Sequence, residues 1–277
     1  MSEKMVQSKN AEICTESFGD PSHPALLLIM GAQSSMIWWE EKFCLQLAAQ
    51  GLFVIRYDNR DVGRSTTYEP GQPGYGLDDM ADDAISVLEA YGVERAHIMG
   101  MSLGGMLAQM IALRDPERIQ SLILLATSNF AANLPPMEEK VATFFANMGA
   151  VDLMDRESFI RFTIDRSRVL VGSKHTFDEE KTFTLAKLDF DRANRPSSMT
   201  NHALLAGGES DMARTSEITV PVLVIHGEED PIIPYAHGEH LASVLPHAEL
   251  LKLAGSGHEL HEEDWGAVIE AIAAHVK

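Results

Sequence analysis

The sequence lacks the features that mark secreted or membrane-spanning proteins. It has two cysteines in 277 residues, too few for a disulfide scaffold. Residues 1–10 are polar and contain no apolar signal-peptide segment. The longest apolar stretch, residues 24–32, is far shorter than the ~20 residues that span a bilayer. We therefore expect a cytoplasmic protein in which Cys14 and Cys44 are reduced thiols.

Basic residues are also scarce. The chain has 22 Lys and Arg against 41 Asp and Glu, a formal net charge of −19 at pH 7. Nucleic-acid binding needs clustered basic side chains, and an anionic lipid surface repels an acidic chain. We expect a small-molecule ligand, no nucleic-acid or membrane partner, and a monomer or homodimer. The negative field also favours neutral substrates over anionic ones at low salt.

Short apolar runs alternate with helical segments along most of the chain. Continuous apolar runs are typical of buried parallel strands, and the alternation predicts an α/β fold with a mostly parallel sheet and helices on both faces. The strand-like runs are residues 25–30, 53–57, 97–99, 119–125, 222–226 and 249–253, and the helical segments are residues 39–49, 78–91, 103–113, 237–244 and 265–276.

The alternation stops in the middle of the chain. From about residue 130 to residue 215, helical stretches continue but no convincing strand occurs. We expect residues 1–129 and 216–277 to form one core, and residues 130–215 to form a helical cap inserted between two strands. This segment is rich in Phe and Met, which favours an apolar pocket.

The strongest chemical signal is the pentapeptide Gly100-Met101-Ser102-Leu103-Gly104. It lies between a predicted strand and a predicted helix, the context in which a G-x-S-x-G turn presents a nucleophilic serine. The turn is so tight that only residues without bulky side chains fit two positions before and after the serine, whose hydroxyl is thereby exposed. The pattern predicts Ser102 as the nucleophile.

A serine nucleophile needs a general base, and the base needs an acid that orients it. Asp230 follows a predicted strand and precedes a proline that favours a fixed turn; the neighbouring Glu229 is the alternative acid. His258 lies in a Gly-rich loop after the last predicted strand, and His261 is a weaker candidate. In the fold type that carries this turn, the serine comes first along the chain, then the acid and then the histidine. Ser102, Asp230 and His258 occur in that order.

A tetrahedral intermediate also needs two N–H donors. We expect one from Leu103 at the start of a helix, where the dipole helps. We expect the other from Ala32, in a loop where Gly31 permits a close approach. Together with Gly31, Trp38 and Met101 are the predicted substrate contacts, although Trp38 fits helix packing equally well.

Metal and nucleotide motifs are absent from the sequence. His237 and His240, like His258 and His261, have helical i, i+3 spacing, but there is no HExxH motif and no cysteine cluster. The Gly-rich stretch at residues 71–76 fits neither a dinucleotide nor a P-loop pattern. We expect no metal and no organic cofactor.

Taken together, these motifs resemble the α/β-hydrolase fold over most of residues 1–128 and 216–277. More narrowly, the chain resembles bacterial aclacinomycin methylesterase-like serine esterases. Many members of the wider family have His-Gly and Arg-Gly where this chain has Met30-Gly31 and Arg60-Asp61, a difference that favours the methylesterase branch. The segments that carry the resemblance are residues 18–21, 24–28, 30–31, 55–58, 60–61, 63–67, 230–232 and 237–242.

The resemblance implies a function for each matched residue. Ser102, Asp230 and His258 correspond to a catalytic triad, and Leu103 and Ala32 to the oxyanion donors. The segment 130–215 corresponds to a cap that shapes substrate choice. Within it the chain matches no particular relative, so the polyketide methyl ester of that group is not carried over.

The sequence thus predicts a serine carboxylesterase that hydrolyses neutral, fairly apolar esters of small to medium size through an acyl-Ser102 intermediate. Lactone hydrolysis, including that of acyl-homoserine lactones, and cofactor-free perhydrolase or haloperoxidase chemistry are alternatives that use the same residues. A non-catalytic ligand receptor on a hydrolase scaffold is an alternative of another class. Epoxide hydrolases and dehalogenases are disfavoured because they carry Asp at the position of Ser102.

Overall fold

A central sheet organises the computed structural model, which describes residues 3–277. Its eight strands are β1 (Lys4–Ser8), β2 (Ala11–Phe18), β3 (Ala25–Ile29), β4 (Phe53–Tyr57), β5 (Ala96–Met101), β6 (Ile119–Leu125), β7 (Val222–Gly227) and β8 (Ala248–Leu253). They lie in the order β1-β2-β4-β3-β5-β6-β7-β8. β2 pairs antiparallel with β1 and β4, and the other neighbours are parallel. The predicted α/β class with a mostly parallel sheet is confirmed.

The edge pair β1–β2 is not predicted by the sequence pattern. In β1 only Val6 and Ser8 are buried, and β2 mixes polar with apolar residues. Neither strand is the continuous apolar run that marks a strand buried on both faces. Cys14 lies buried in β2, and Cys44 is buried in the helix at residues 41–49; both are free thiols.

Helices cover both faces of the sheet, as predicted. In residues 3–277 they are α1 (Glu41–Ala49), α2 (Leu77–Ala90), α3 (Leu103–Arg114), α4 (Glu139–Ala146), α5 (Arg156–Leu170), α6 (Glu179–Arg192), α7 (Glu209–Met212), α8 (Ala236–Val244) and α9 (Trp265–His275). Successive side chains of β3 point to opposite faces. Leu26 therefore packs in one core cluster with Phe43 of α1, and Leu27 in the other with Leu107 of α3.

Helices α4 to α7 all lie between β6 and β7, and in the described structure this stretch contains no strand. We call residues 130–215 the insertion. Its Phe159 and Phe162 pack in a separate apolar cluster that also includes Val62 from the core. Arg192 of the insertion forms a buried ion pair with Asp58, which directly follows β4, at 2.9 Å. These contacts place α5 and α6 of the insertion beside the segment that follows β4, whereas Met212 of α7 packs in the same core cluster as Leu107 of α3.

Among the described residues, no helix combines the length and the apolar character that a membrane span requires.

Candidate active site

Ser102 lies at the sharp turn between β5 and α3, with φ 52° and ψ −118°. This left-handed backbone is strained for a residue with a side chain. Its glycine neighbours are required by packing. A Cβ on Gly100 would lie 2.1 Å from the Gly104 carbonyl oxygen, and a Cβ on Gly104 would lie 2.1 Å from the Ile29 oxygen. The G-x-S-x-G pattern therefore reflects close backbone approaches on both sides of the serine.

Asp230 and His258 come together because β7 and β8 are parallel neighbours whose carboxyl ends meet at one edge. His258 Nδ1 lies 2.7 Å from Asp230 Oδ2. The other carboxylate oxygen, Oδ1, accepts hydrogen bonds from the backbone N–H groups of Ile232 and Ile233 at 2.9 and 2.8 Å. These bonds fix the Asp230 carboxylate beside the imidazole.

The electrostatics of Asp230 favour its ionised form. Burial alone would raise the pKa of this carboxyl, but the charge of His258 and the contacts with His226 and His258 hold the pKa below its ordinary value. Asp230 thus stays a carboxylate at neutral pH, as an orienting acid must.

The alternative residues have other partners. The Glu229 carboxylate accepts hydrogen bonds from the backbone N–H and the hydroxyl of Ser173, both at 2.7 Å. His261 stacks on His175, with the ring centres 3.9 Å apart. The bonds of Glu229 and the ring stacking of His261 thus involve Ser173 and His175, and not Asp230 or His258.

Ser102 and His258 line one cavity of about 560 Å³. Within residues 3–277 no hydrogen bond joins the Ser102 hydroxyl to His258. Such bonds are often long without substrate and tighten when it binds. The structure therefore brings the three predicted residues to one site. The hydrogen bond between Asp230 and His258 is already formed there.

The predicted N–H donors flank the serine. Leu103 is the first residue of α3, and the first N–H groups of a helix have no partner within it. A Cβ on Gly31 would lie 3.3 Å from the Ser102 Cβ, so the glycine lets its loop come close. Ala32, the next residue, lines the same cavity.

Two residues of the insertion hold this loop, and sequence reasoning missed both. Gln33 adopts φ 62°. Its N–H donates to His202 Nδ1 at 2.8 Å, and its carbonyl accepts a hydrogen bond of 3.2 Å from Arg166. His202 and Arg166 are more than a hundred residues away in sequence, and no motif marks either one.

The predicted substrate contacts Gly31, Trp38 and Met101 all line the cavity. Trp38 also donates its indole N–H to Asp189 at 2.8 Å. Further apolar side chains in the lining were not predicted individually; they include Met137, Phe145, Met148, Leu170, Phe177 and Leu185. Most of them come from the insertion.

The histidine pairs considered from their spacing do not assemble into ligand sets. His237 instead bonds to the Ser128 hydroxyl at 2.6 Å and to the Pro135 carbonyl at 2.8 Å. A different set, His175, His261 and Glu263, has ligand atoms within 4.8 Å of one another. The two imidazoles are stacked nearly parallel, at 12°. A metal lies in the plane of a ligating ring, so these two rings do not converge on one ion in this arrangement.

Comparisons with known proteins agree with this fold. A family model described as alpha/beta hydrolase fold matches residues 24–264. Rhodomycin D methylesterase DauP of Streptomyces sp. (strain C5) is 30% identical, covering 100% of this chain and 99% of that protein. Rhodomycin D methylesterase DnrP of Streptomyces peucetius is 31% identical with the same coverage. The crystal structure of esterase RhEst1 from Rhodococcus sp. ECU1013 superposes with a TM-score of 0.80 at 21% identity, covering 100% of this chain and 98% of that one.

Proposed function

The chain belongs to the α/β-hydrolase fold family, and from that premise we propose that it is a serine carboxylesterase that works through an acyl-Ser102 intermediate. The expectation of a hydrolase acting on ester bonds agrees with the two full-length relatives, both named as methylesterases. The observation that carries the serine mechanism is that Ser102, in its strained turn, lines the same cavity as His258, which in turn bonds to Asp230.

The reaction proceeds in two halves. His258 Nε2 takes the hydroxyl proton as Ser102 attacks the ester carbonyl carbon, and the N–H groups of Ala32 and Leu103 stabilise the oxyanion. The intermediate collapses, His258 gives the proton to the leaving alcohol, and an acyl-serine remains. His258 then removes a proton from water, whose oxygen attacks the acyl carbonyl carbon. The bond between that carbon and Ser102 Oγ breaks, His258 returns the proton to Oγ, and the acid is released. Asp230 stays ionised throughout and stabilises the imidazolium.

The insertion acts as the cap in this proposal. It supplies most of the apolar lining of a cavity of about 560 Å³, a size that suits a small to medium ester with an apolar body. The expectation of a neutral substrate stays a prediction from the net charge of −19, which acts at long range.

Substitution of the serine tests the mechanism. Ser102→Ala should reduce hydrolysis of a chromogenic short-chain ester by at least about 10⁴-fold and abolish labelling by a fluorophosphonate probe. Ser167→Ala is the matched control, because Ser167 lines the same cavity and its hydroxyl donates to the Thr163 carbonyl. Circular dichroism and urea unfolding of both variants check the fold.

Three outcomes would contradict this proposal. Near-wild-type turnover in Ser102→Ala excludes Ser102 as the nucleophile. A wild-type protein that binds esters but neither hydrolyses them nor reacts with the probe is a receptor. A kcat/KM for lactones that exceeds the value for open-chain esters of equal carbon number would identify a lactonase.

A further inference from the structure

Arg166 is a buried cation in the wall of the active-site cavity. It lies on α5, lines the cavity, and is 8% exposed. Its guanidinium carbon lies 5.9 Å from the ring centre of Trp38 and 6.0 Å from that of Phe162. Buried arginines normally pair with a carboxylate, so the acceptors around this one are informative.

The guanidinium has more donors than the protein satisfies. It offers five N–H groups. Within residues 3–277 it forms two hydrogen bonds, to the Gln33 carbonyl at 3.2 Å and to the Ser34 hydroxyl at 3.5 Å. The first distance is at the upper limit of the normal range, and the second exceeds it. Three N–H groups therefore have no acceptor in the described chain.

No carboxylate compensates this charge directly. In the described part of the chain, no acidic oxygen lies within 4.0 Å of the Arg166 nitrogens. Asp189 is the acid whose field reaches Arg166, but its oxygens accept hydrogen bonds from the Ser35 hydroxyl and the Trp38 indole. Burial raises the pKa of Asp189 above its ordinary value in spite of these bonds.

The lysine and the carboxylates that line the cavity with Arg166 already have partners within the protein. Lys181 pairs with Glu40 at 2.8 Å. Asp178 accepts a hydrogen bond from the Lys181 backbone N–H at the start of α6. Glu259 accepts one from the Gly172 N–H at 3.1 Å. Arg166 thus has free donors in a cavity where these charges are already satisfied.

We propose that Arg166 binds a carboxylate of the substrate, so that the preferred substrates are apolar esters carrying a second, ionised carboxyl group. This inference rests on the proposed esterase function and narrows its substrate class. A planar guanidinium matches a carboxylate in a bidentate contact. Trp38, Phe145 and Met148 line the same cavity and accommodate the apolar part between the two groups.

The proposal departs from the neutral substrate that the net charge favours. The field of −19 charges acts over long distances and is screened by salt. A contact with a buried guanidinium is screened much less. We therefore expect kcat/KM for a carboxylated ester to rise with salt, because salt removes the long-range repulsion and leaves the local contact.

Two series of matched esters test the proposal at 0.05 and 0.3 M NaCl. One places the charge on the acid part (mono-4-nitrophenyl adipate against 4-nitrophenyl hexanoate), and the other on the alcohol part (4-acetoxybenzoate against its methyl ester). At the higher salt, the wild type should favour the charged member in at least one series by about ten- to a hundredfold in kcat/KM. Arg166→Met should lose that ratio, and Arg166→Lys should retain part of it.

The ratio separates recognition from support of the Gln33 loop, because loop damage lowers turnover of both members alike. If Arg166→Met is inactive or unfolded, inhibition of the wild type decides. A trifluoromethyl ketone ending in a carboxylate should then inhibit at least tenfold more strongly than one ending in a methyl group. Equal inhibition, no charge preference in either series, or an unchanged ratio in Arg166→Met overturns the proposal. In each of those cases Ser102-dependent hydrolysis of the neutral esters still leaves the esterase function in place.

Discussion

His202 joins the insertion to the loop that carries the proposed oxyanion donor. Its Nδ1 accepts the Gln33 N–H at 2.8 Å, and its Nε2 bonds to the Arg60 carbonyl at 2.7 Å. Because a carbonyl only accepts, Nε2 carries the proton and Nδ1 the lone pair. Burial lowers the pKa of His202, which favours this neutral form. The His202 imidazole thus fixes the backbone at Gln33 and the backbone at Arg60 relative to each other.

We expect His202→Ala to lower kcat by about tenfold or more with a smaller change in KM. The reason is that Gln33 loses its acceptor, so the adjacent Ala32, our proposed oxyanion donor, is no longer held in place. A lost oxyanion donor costs about 10²–10³-fold in related chemistry. His202→Asn, which keeps an acceptor, should recover part of the loss. Steady-state kinetics with a chromogenic ester measure both, and the exposed His247 provides the control His247→Ala. A rise in KM alone would show that His202 contacts substrate and does not position the loop.

The acid of the triad is tested by a pair of neighbours. Asp230→Asn should lower kcat by about 10³-fold or more, because an amide holds the wrong tautomer of the base. Glu229→Gln should stay within about twofold, since this exposed carboxylate binds only Ser173 and surface substitutions have small effects. The kcat/KM of the two variants, with unfolding curves, distinguishes the acids. A comparable loss in Glu229→Gln would contradict the assignment.

The sequence indicates the parallel core and the Ser102 turn because both follow from local patterns. β3 is a continuous apolar run, as a strand buried on both faces requires. The motif around Ser102 is fixed by backbone clearances within five residues and by Ile29. Asp230 and His258 follow from their positions just after β7 and β8, since neighbouring parallel strands end at the same edge of the sheet.

The residues that sequence reasoning missed act through contacts distant in the chain. Arg166 and His202 both bond to Gln33. Helical periodicity predicts a helix but not the loop that the helix contacts in the folded chain. The sequence pattern does not predict β1 for another reason. This strand lies at the edge of the sheet, and its residues are only partly buried. Local sequence patterns therefore predict Ser102, Asp230 and His258, whereas most of the apolar lining of the cavity depends on how the insertion folds.

Two glycines of the Ser102 turn should be intolerant of even a methyl group. Gly100→Ala or Gly104→Ala would place a Cβ about 2 Å from a backbone oxygen. The added methyl group forces the turn apart, so we expect a loss of about 1–3 kcal/mol or more in the free energy of unfolding. Gly266→Ala is the control: the glycine lies in α9, where an added Cβ would have no neighbour within 4 Å, and alanine there should stabilise by about 0.5 kcal/mol. Urea unfolding measures all three, and a destabilisation of Gly104→Ala below about 1 kcal/mol would contradict the close approach.

Acid should destabilise the fold through His97. Burial, aided by the charges of His275 and Arg95, lowers the pKa of His97 to about 4, and its Nδ1 bonds to the Ser121 hydroxyl at 2.8 Å. Above pH 6.5 the residue is neutral in both the folded and the unfolded chain. Between pH 6.5 and about 4 only the unfolded chain takes up the proton, so stability falls by up to about 3 kcal/mol. His97→Gln cannot be protonated, and its free energy of unfolding should decline less over that range, whereas replacing the exposed His23 by Gln should leave the wild-type slope. Equal slopes in all three proteins, measured by urea unfolding at pH 7, 5.5 and 4, would show that His97 does not contribute to the loss of stability in acid.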